Sequence, residues 1–277
     1  MKPLDFKITK MSGAGNDFLF LDFTDLTTKL NWDAHFNSRP DFTRTVCRRQ
    51  HNVGADGVVF VEKLENENGP QIKWDFYNAD GSTAEMCGNA ARCMGVYCFK
   101  RGISPKSFDF LSLAGTIHVE VINNEQVSVL MPAIQNEKWG EVLNIEGQGV
   151  NFDYMDSGVP HAVIFVNEIN ENTKNKNFVS QLRNHISFSP KGTNVTFTKV
   201  INENSINSVS FERGVEDFTL ACGTGAVASA FAFHKKNPDT RVINVSVPGG
   251  DLVVDLSSQQ PILTGPAKFI AEVELYI

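Results

Sequence analysis

Two cysteines at matching places in the chain carry the clearest chemical signal. Cys87 opens the segment CGNAARC and Cys222 opens CGTGA. Each stands where a loop ends and a helix is predicted to begin. The open N–H groups and positive dipole end of a helix lower a thiol's pKa from roughly 8.5 and favour thiolate. The glycine after each cysteine bares backbone N–H groups on which an anion can dock. Taken singly, a cysteine at a helix start is most often inert packing. Its recurrence in both halves of the chain changes that weighing. If the two halves face one another, an α-carboxylate can be held between two helix N-termini, with its α-carbon between two sulfurs. One thiolate takes the α-proton and the other thiol returns one on the far face, which inverts the stereocentre. The reverse direction swaps the roles, so acid and base need matched pKa values, and equivalent cysteines supply them. Fixed dipoles in a dry cleft would steady the carbanion.

The elements that position these cysteines are themselves repeated. WDFYNADGSTAEMCGNAARC (74–93) lies over VSFERGVEDFTLACGTGAVA (209–228). GADGVVFVE (54–62) lies over GTNVTFTKV (192–200), and MSGAGNDFLFLD (11–22) over MDSGVPHAVIFV (155–166). The blocks keep their order, so the chain reads as a duplication. FLFLD, GVVFVEK and IKWDFYN are short runs of strand type, matched by AVIFV, NVTFTKV and SVSFER. Residues 116–122 and 126–131 alternate as two strands around Asn123-Asn124. One helix is predicted from Gly88 to Arg101, stopped by Gly102, and another from Gly223 to Lys236, stopped before Asn237-Pro238. Basic residues close both, as the dipole favours. Earlier helices are expected near 40–50 and near 176–185, and exposed polar loops at 64–70 and 167–177. The fold class is therefore α+β. Two pseudo-symmetric domains are expected, each a mixed or antiparallel sheet wrapped around a central helix. The boundary falls near Met131-Pro132, giving 1–131 and 132–265. The last strand, KFIAEVELYI, has no counterpart in the first half, so 266–277 is expected to return and complete the first domain.

Composition narrows the function classes. The 277 residues are 42% hydrophobic and 21% charged, ordinary for a globular protein rather than a disordered one. The net charge is −7 and the 25 basic residues are scattered, which argues against nucleic acid as partner. No apolar run approaches the ~18 residues of a membrane helix, and MKPLDFKITKMSG lacks the apolar core of a signal peptide. A cytoplasmic location is expected. Five cysteines with no export signal are expected to be reduced thiols. No CxxC pair occurs and the spacing of Cys87, Cys93 and Cys98 fits no usual zinc pattern, so no metal is expected. GAGND (13–17) and CGTGA (222–226) match neither GxGxxG nor the P-loop, and no lysine is marked as a Schiff-base former. No cofactor is expected.

These blocks resemble one known family over essentially the whole chain. KMSGAGNDFLFLD, GADGVVFVE, FYNADGSTAEMCGNAARC, SGVPHAV, GTNVTF, FERGVEDFTLACGTGA and the late VPGG are similar, in that order, to the diaminopimelate epimerases. These are cofactor-independent two-cysteine enzymes of lysine and peptidoglycan biosynthesis. The resemblance implies epimerisation of LL-2,6-diaminopimelate to the meso form in a cleft between the two halves. Cys87 and Cys222 would be base and acid, exchanging roles with direction. Gly88, Asn89, Gly223 and Thr224 would bind the carboxylate at the reacting centre. Asn16, Asn78, Asn194, Glu212 and Arg213 would hold the distal amino-acid end. Chemistry agrees, since that end needs donors for its carboxylate and an acceptor for its ammonium. Simpler readings stand beside these. Glu212-Arg213 suits a surface ion pair in a turn, Asn16 and Asn78 suit turn chemistry, and His161 suits a satisfied histidine at a strand start, with a supporting role near the cleft as the alternative.

One position departs from the pattern. Many members have Asn-Pro-His where this chain has Val159-Pro160-His161. The family asparagine helps bind the distal carboxylate, and losing such a donor costs on the order of 1.5–3 kcal/mol without compensation. A racemase of another amino acid on the same scaffold is therefore the nearest alternative. A non-catalytic amino-acid-binding protein and a thiol–disulfide oxidoreductase are the readings from other classes. Two facing thiols could oxidise to a disulfide, and that is expected to stop turnover reversibly. Closure over substrate is expected, to exclude water. Base rates make a homodimer the expected assembly.

Overall fold

A computed structural model describes residues 3–66, 69–83, 85–171 and 173–276. The chain divides into two compact units, Met1–Val129 with Pro266–Ile277, and Leu130–Gly265. No helix among the described residues is long and apolar enough to cross a membrane.

The first unit is built from β1 (Pro3–Gly13), β2 (Asn16–Asp22), α1 (Leu26–His35), α2 (Arg39–Val46), β3 (Gly57–Lys63), β4 (Ile72–Asn78), α3 (Gly88–Lys100), β5 (Ser107–Ser112), β6 (Gly115–Asn123) and β7 (Gln126–Leu130). The last strand of the chain, β17 (Lys268–Tyr276), belongs to it and pairs antiparallel with β1, Ile8 opposite Val273. β1 pairs antiparallel with β2, β2 parallel with β3, and β3 antiparallel with β4. Helix α3 is buried on every side from Gly88 to Cys98, as expected of a helix enclosed by sheet. Tyr97 fixes it there, with its ring stacked on Phe20 of β2 at 5.0 Å and on Phe269 of β17 at 6.2 Å. The helix ends one residue before the predicted Arg101. Gly102 takes φ +68°, Gly102 N–H bonds Phe99 O at 3.1 Å and Ile103 N–H bonds Cys98 O at 2.9 Å. That glycine stop satisfies carbonyls the helix leaves open.

The second unit contains β8 (Gln135–Ile145), β9 (Gln148–Asp156), β10 (Pro160–Phe165), α4 (Lys176–Arg183), β11 (Asn194–Asn202), β12 (Ser205–Glu212), β13 (Asp217–Phe218), α5 (Gly223–Lys236), β14 (Val242–Val247), β15 (Gly250–Asp255) and β16 (Ile262–Pro266). β10 pairs parallel with β11 and β11 antiparallel with β12. Helix α5, rich in alanine, is buried over most of its faces and packs on β9 to β12.

The duplication is visible in register as well as order. Phe18 stands over Ala162 in one pair of sequence blocks, and Gly57 over Val195 in another. Phe18 pairs with Gly57, and Ala162 pairs with Val195. A one-residue slip would have turned every side chain to the opposite face.

Several expectations shift in detail. The helices expected near 40–50 and 176–185 are shorter, Arg39–Val46 and Lys176–Arg183. Lys176 and Asn177, assigned to an exposed loop, begin α4, because Asn175 caps it by accepting from Phe178 N–H at 3.3 Å. Residues 67, 68 and 172 of the two expected loops lie outside the described residues. Helix α1, which carries no strong periodicity, was not expected. Asp25 caps it and Trp32 is its one buried residue, in an aromatic cluster with Phe23, Phe42 and Phe60.

Candidate active site

Cys87 is the N-cap of α3 and Cys222 the N-cap of α5, both with extended backbone angles. None of the five cysteines is in a disulfide. The two surroundings differ, and each is described within its own unit.

In the second unit Cys222 is buried. Its thiol is pushed well above the ordinary range, first by burial and then by the charge of Glu212. The hydrogen-bond contact with Thr224 and the Gly225 backbone N–H pull the other way. The Glu212 carboxyl is itself raised by burial, offset by hydrogen bonds from Thr219 and from the Cys222 thiol. Thr219 Oγ1 donates to Glu212 Oε1. The thiol and the carboxyl therefore each bear on the other's proton. The family resemblance implies a distal-end role for Glu212, and its carboxyl also bears on the Cys222 thiol. Gly225 allows α5 to approach, since a Cβ there would stand 2.2 Å from Ser210 Oγ of β12.

His161 is fully buried, and burial followed by the Arg213 charge pulls its pKa to about 3. It is neutral at working pH. Arg213 N–H donates to Asn194 Oδ1 at 2.7 Å, which turns Asn194 Nδ2 towards His161 Nε2 at 3.3 Å. Nε2 is then the acceptor nitrogen, shared with Thr224 Oγ1 at 3.0 Å, and Nδ1–H donates to Thr196 Oγ1 at 2.9 Å. Thr196 Oγ1 lies 2.9 Å from Ser210 Oγ. Thr224 Oγ1 in turn lies 3.4 Å from Cys222 Sγ. A continuous chain thus runs from Arg213 and Asn194 through His161 and Thr224 to the thiol. His161 is thus a satisfied histidine at a strand start.

In the first unit Cys87 is half-buried. Asn89, two residues into α3, donates from Nδ2 to Asn16 Oδ1 at 2.6 Å. Asn16 Nδ2 donates to Asp56 Oδ2 at 2.8 Å. Arg49 donates to Asp56 Oδ1 at 2.6 Å and to both carboxylate oxygens of Asp17, at 2.6 and 3.0 Å. Burial alone would raise the Asp17 carboxyl, but Arg49 and Lys10 hold it below the usual carboxylate range. The turn between β1 and β2 can reach α3 because Gly13 has no side chain. A Cβ there would stand 2.6 Å from Asn89 O.

Asn16 and Asn89 are thus brought together beside Cys87, and Asn194, His161 and Thr224 beside Cys222. Gly88 and Gly223 are the first residues of their helices. Asn78, at the end of β4, is held by turn chemistry: its N–H bonds Ser82 O at 2.9 Å and its Nδ2 donates to Ser82 Oγ at 3.1 Å. Arg213 enters the hydrogen-bond chain through its backbone N–H, while its guanidinium charge bears on His161. Sequence reading missed Asp56, Thr219 and Arg92. Asp56 was findable, because it lies under Asn194 in the aligned repeats. Thr219 and Arg92 carried no local signal.

A family model described as diaminopimelate epimerase matches residues 8–135 and 154–270. A diaminopimelate epimerase of Aquifex aeolicus is 36% identical over 270 residues, covering 95% of this chain and 95% of that protein. One from a Hydrogenobaculum species is 33% identical over 268 residues, with 96% of each covered. Among solved structures, a Bacillus anthracis protein of the phenazine biosynthesis PhzF family superposes with a TM-score of 0.71 at 16% identity, all of both chains covered, which shows a shared fold. On these matches and on its two-domain α+β architecture, the chain belongs to the diaminopimelate epimerase family.

Proposed function

We propose that the chain epimerises LL-2,6-diaminopimelate to the meso form at one α-carbon, serving lysine and peptidoglycan biosynthesis. Family membership together with a cysteine at the N-cap of both buried central helices is what carries this reading. One thiolate takes the α-proton, breaking the C–H bond and forming S–H. The other thiol gives its proton to the opposite face of the same carbon and becomes the thiolate. No electrons leave the pair of molecules and no cofactor is consumed. The reaction requires one thiol from each half, 1–131 with 266–277 and 132–265, on opposite faces of the substrate carbon. The N–H groups of Gly88, Asn89, Gly223 and Thr224 are assigned to its carboxylate, where helix dipoles offset charge that develops on proton removal. Glu212 is assigned to Cys222, whose proton it can hold while the sulfur acts as base. Arg213, Asn78 and the amides of Asn16 and Asn194 are assigned to the distal end.

The test is an incubation of LL-diaminopimelate with the reduced protein in deuterated water, followed by chiral chromatography and mass spectrometry. Meso product with deuterium at one α-carbon is expected. Val159 favours one second reading, a racemase of a different amino acid, because valine cannot donate to a distal carboxylate. No exchange into diaminopimelate, with exchange into another amino acid in the same solvent, would establish that reading instead. Substrate binding with no exchange into any amino acid would leave a binding protein. The same reading includes a homodimer in the cytoplasm. Light scattering that returns the mass of one chain would remove the dimer.

A further inference from the structure

Arg92 has no part in the proton transfer just described, yet its placement is costly. Its side chain is fully buried, and its guanidinium donates to Asn89 Oδ1 at 2.7 Å, Pro266 O at 3.3 Å and Gly88 O at 3.4 Å. None of the three is a carboxylate. A cation taken out of water usually needs an anionic partner. It also sits over the first turn of α3, the positive end of the helix, where a cation is disfavoured. Burial lowers its pKa to about 10, which leaves it charged at neutral pH.

The fold does not demand a cation there. Arg92 lies over Val227 in the aligned repeats, and Val227 is fully buried in α5. The same helical position in the same architecture is filled by a valine. What sets Arg92 apart is what its charge meets. The groups whose charges act on it are the thiols of Cys93 and Cys87. Cys93 is fully buried and burial pushes it up to about 12, so it stays neutral. Cys87 is half-buried.

Arg92 also sets the direction of a hydrogen-bond chain. It donates to Asn89 Oδ1, so Asn89 Nδ2 must face Asn16 Oδ1, and Asn16 Nδ2 must face Asp56 Oδ2. A chain that begins on a cation and ends on an anion has one polarity. Without the cation, the orientation of both amides would rest on the Asp56 end of the chain alone.

We propose that Arg92 is a positioning residue that holds Cys87 as the thiolate of the resting enzyme and locks the Asn89 and Asn16 amides in one orientation. Cys222, beside Glu212, is then the resting thiol. This rests on Cys87 and Cys222 being the reacting pair. The strands packed on α3 bring Lys7 and Lys10 on β1, His118 and Glu120 on β6, and Lys268, Glu272 and Glu274 on β17. Lys10 is paired with Asp17, His118 with Asp109, Lys268 with Glu125, and Lys7 with Glu272, which also takes Arg101. None of these groups acts on Arg92.

The test is alkylation of the full reduced chain by iodoacetamide across the pH range in which thiols titrate, read at the Cys87 peptide by mass spectrometry. The wild-type midpoint is expected about one pH unit or more below the ordinary value of roughly 8.5. Arg92→Met should raise it by about one unit or more. Arg92→Lys keeps the charge and loses the planar fork, so the midpoint should stay near wild type while kcat/KM falls about tenfold. If Arg92→Met does not fold, by circular dichroism, the wild-type midpoint and Arg92→Lys still decide. A wild-type midpoint at or above the ordinary value, or an unmoved midpoint in folded Arg92→Met, overturns the thiolate assignment. An unchanged kcat/KM in Arg92→Lys overturns the amide lock. Full activity in Cys87→Ser would instead remove the two-thiol reading, and it leaves the alkylation result standing.

Discussion

Cys87→Ser and Cys222→Ser are each expected to lower kcat for LL-to-meso conversion by about 10²–10⁴-fold or more. A serine hydroxyl is far too weak an acid to serve as a resting base, and too poor a donor to quench a carbanion quickly. The sharper expectation concerns exchange. A variant that keeps one thiolate can still remove a proton from the face it meets and return a deuteron to that same face. Each single variant should therefore wash deuterium into one stereoisomer without inverting it, and the two variants should choose opposite isomers. Mass spectrometry of LL- and meso-diaminopimelate after incubation in deuterated water reads this directly. Identical isomer preference in both variants would mean that the cysteines do not face opposite sides of the carbon.

Glu212→Gln is expected to be the next largest effect, with kcat down about 10²-fold and no loss of thermal stability. The glutamine keeps the oxygen that accepts from Thr219 and Cys222 but cannot hold the thiol's proton. The stability argument follows from the direction of the Glu212 shift. Burial raises its folded pKa above the unfolded value, so the folded state holds the proton more tightly. That contribution is fully present below the unfolded pKa and is lost as pH rises through the folded one. At neutral and alkaline pH the buried carboxylate works against folding, and the neutral amide should not. Its removal also takes a negative charge away from Cys222, so the thiol should titrate at lower pH than in wild type. Thermal melts and thiol titration of the variant check both signs. A lowered melting temperature at alkaline pH, or a thiol midpoint that moves up, would show that Glu212 does not act on Cys222 as the geometry indicates.

The sheet strands and the two central helices were legible because their signals are local. Short Val, Ile and Phe runs mark the strands, and Gly102 and Pro238 stop helices within a turn. The repeat made the reading firm by supplying each signal twice. Helix α1 escaped because packing, not periodicity, stabilises it: one tryptophan in an aromatic cluster and one aspartate cap. The contacts of Glu212 and Arg213 were also beyond local reading. They are neighbours in sequence, yet one reaches a thiol at the start of α5 and the other caps Asn194 through its backbone.

The order of the blocks, the two thiols and their place at helix starts were determined by sequence alone, since each depends on residues within about one helical turn of it. The difference between the two thiols was decided by tertiary structure. His161 is neutral because burial strips its water and Thr196, Thr224 and Asn194 converge on it from other elements. The Asn89 and Asn16 amides are held in direction between Arg92 and an aspartate on a separate loop. Desolvation and hydrogen-bond partners drawn from distant strands have no local sequence signature, so two cysteines in the same repeated motif acquire opposite surroundings only once the chain has folded.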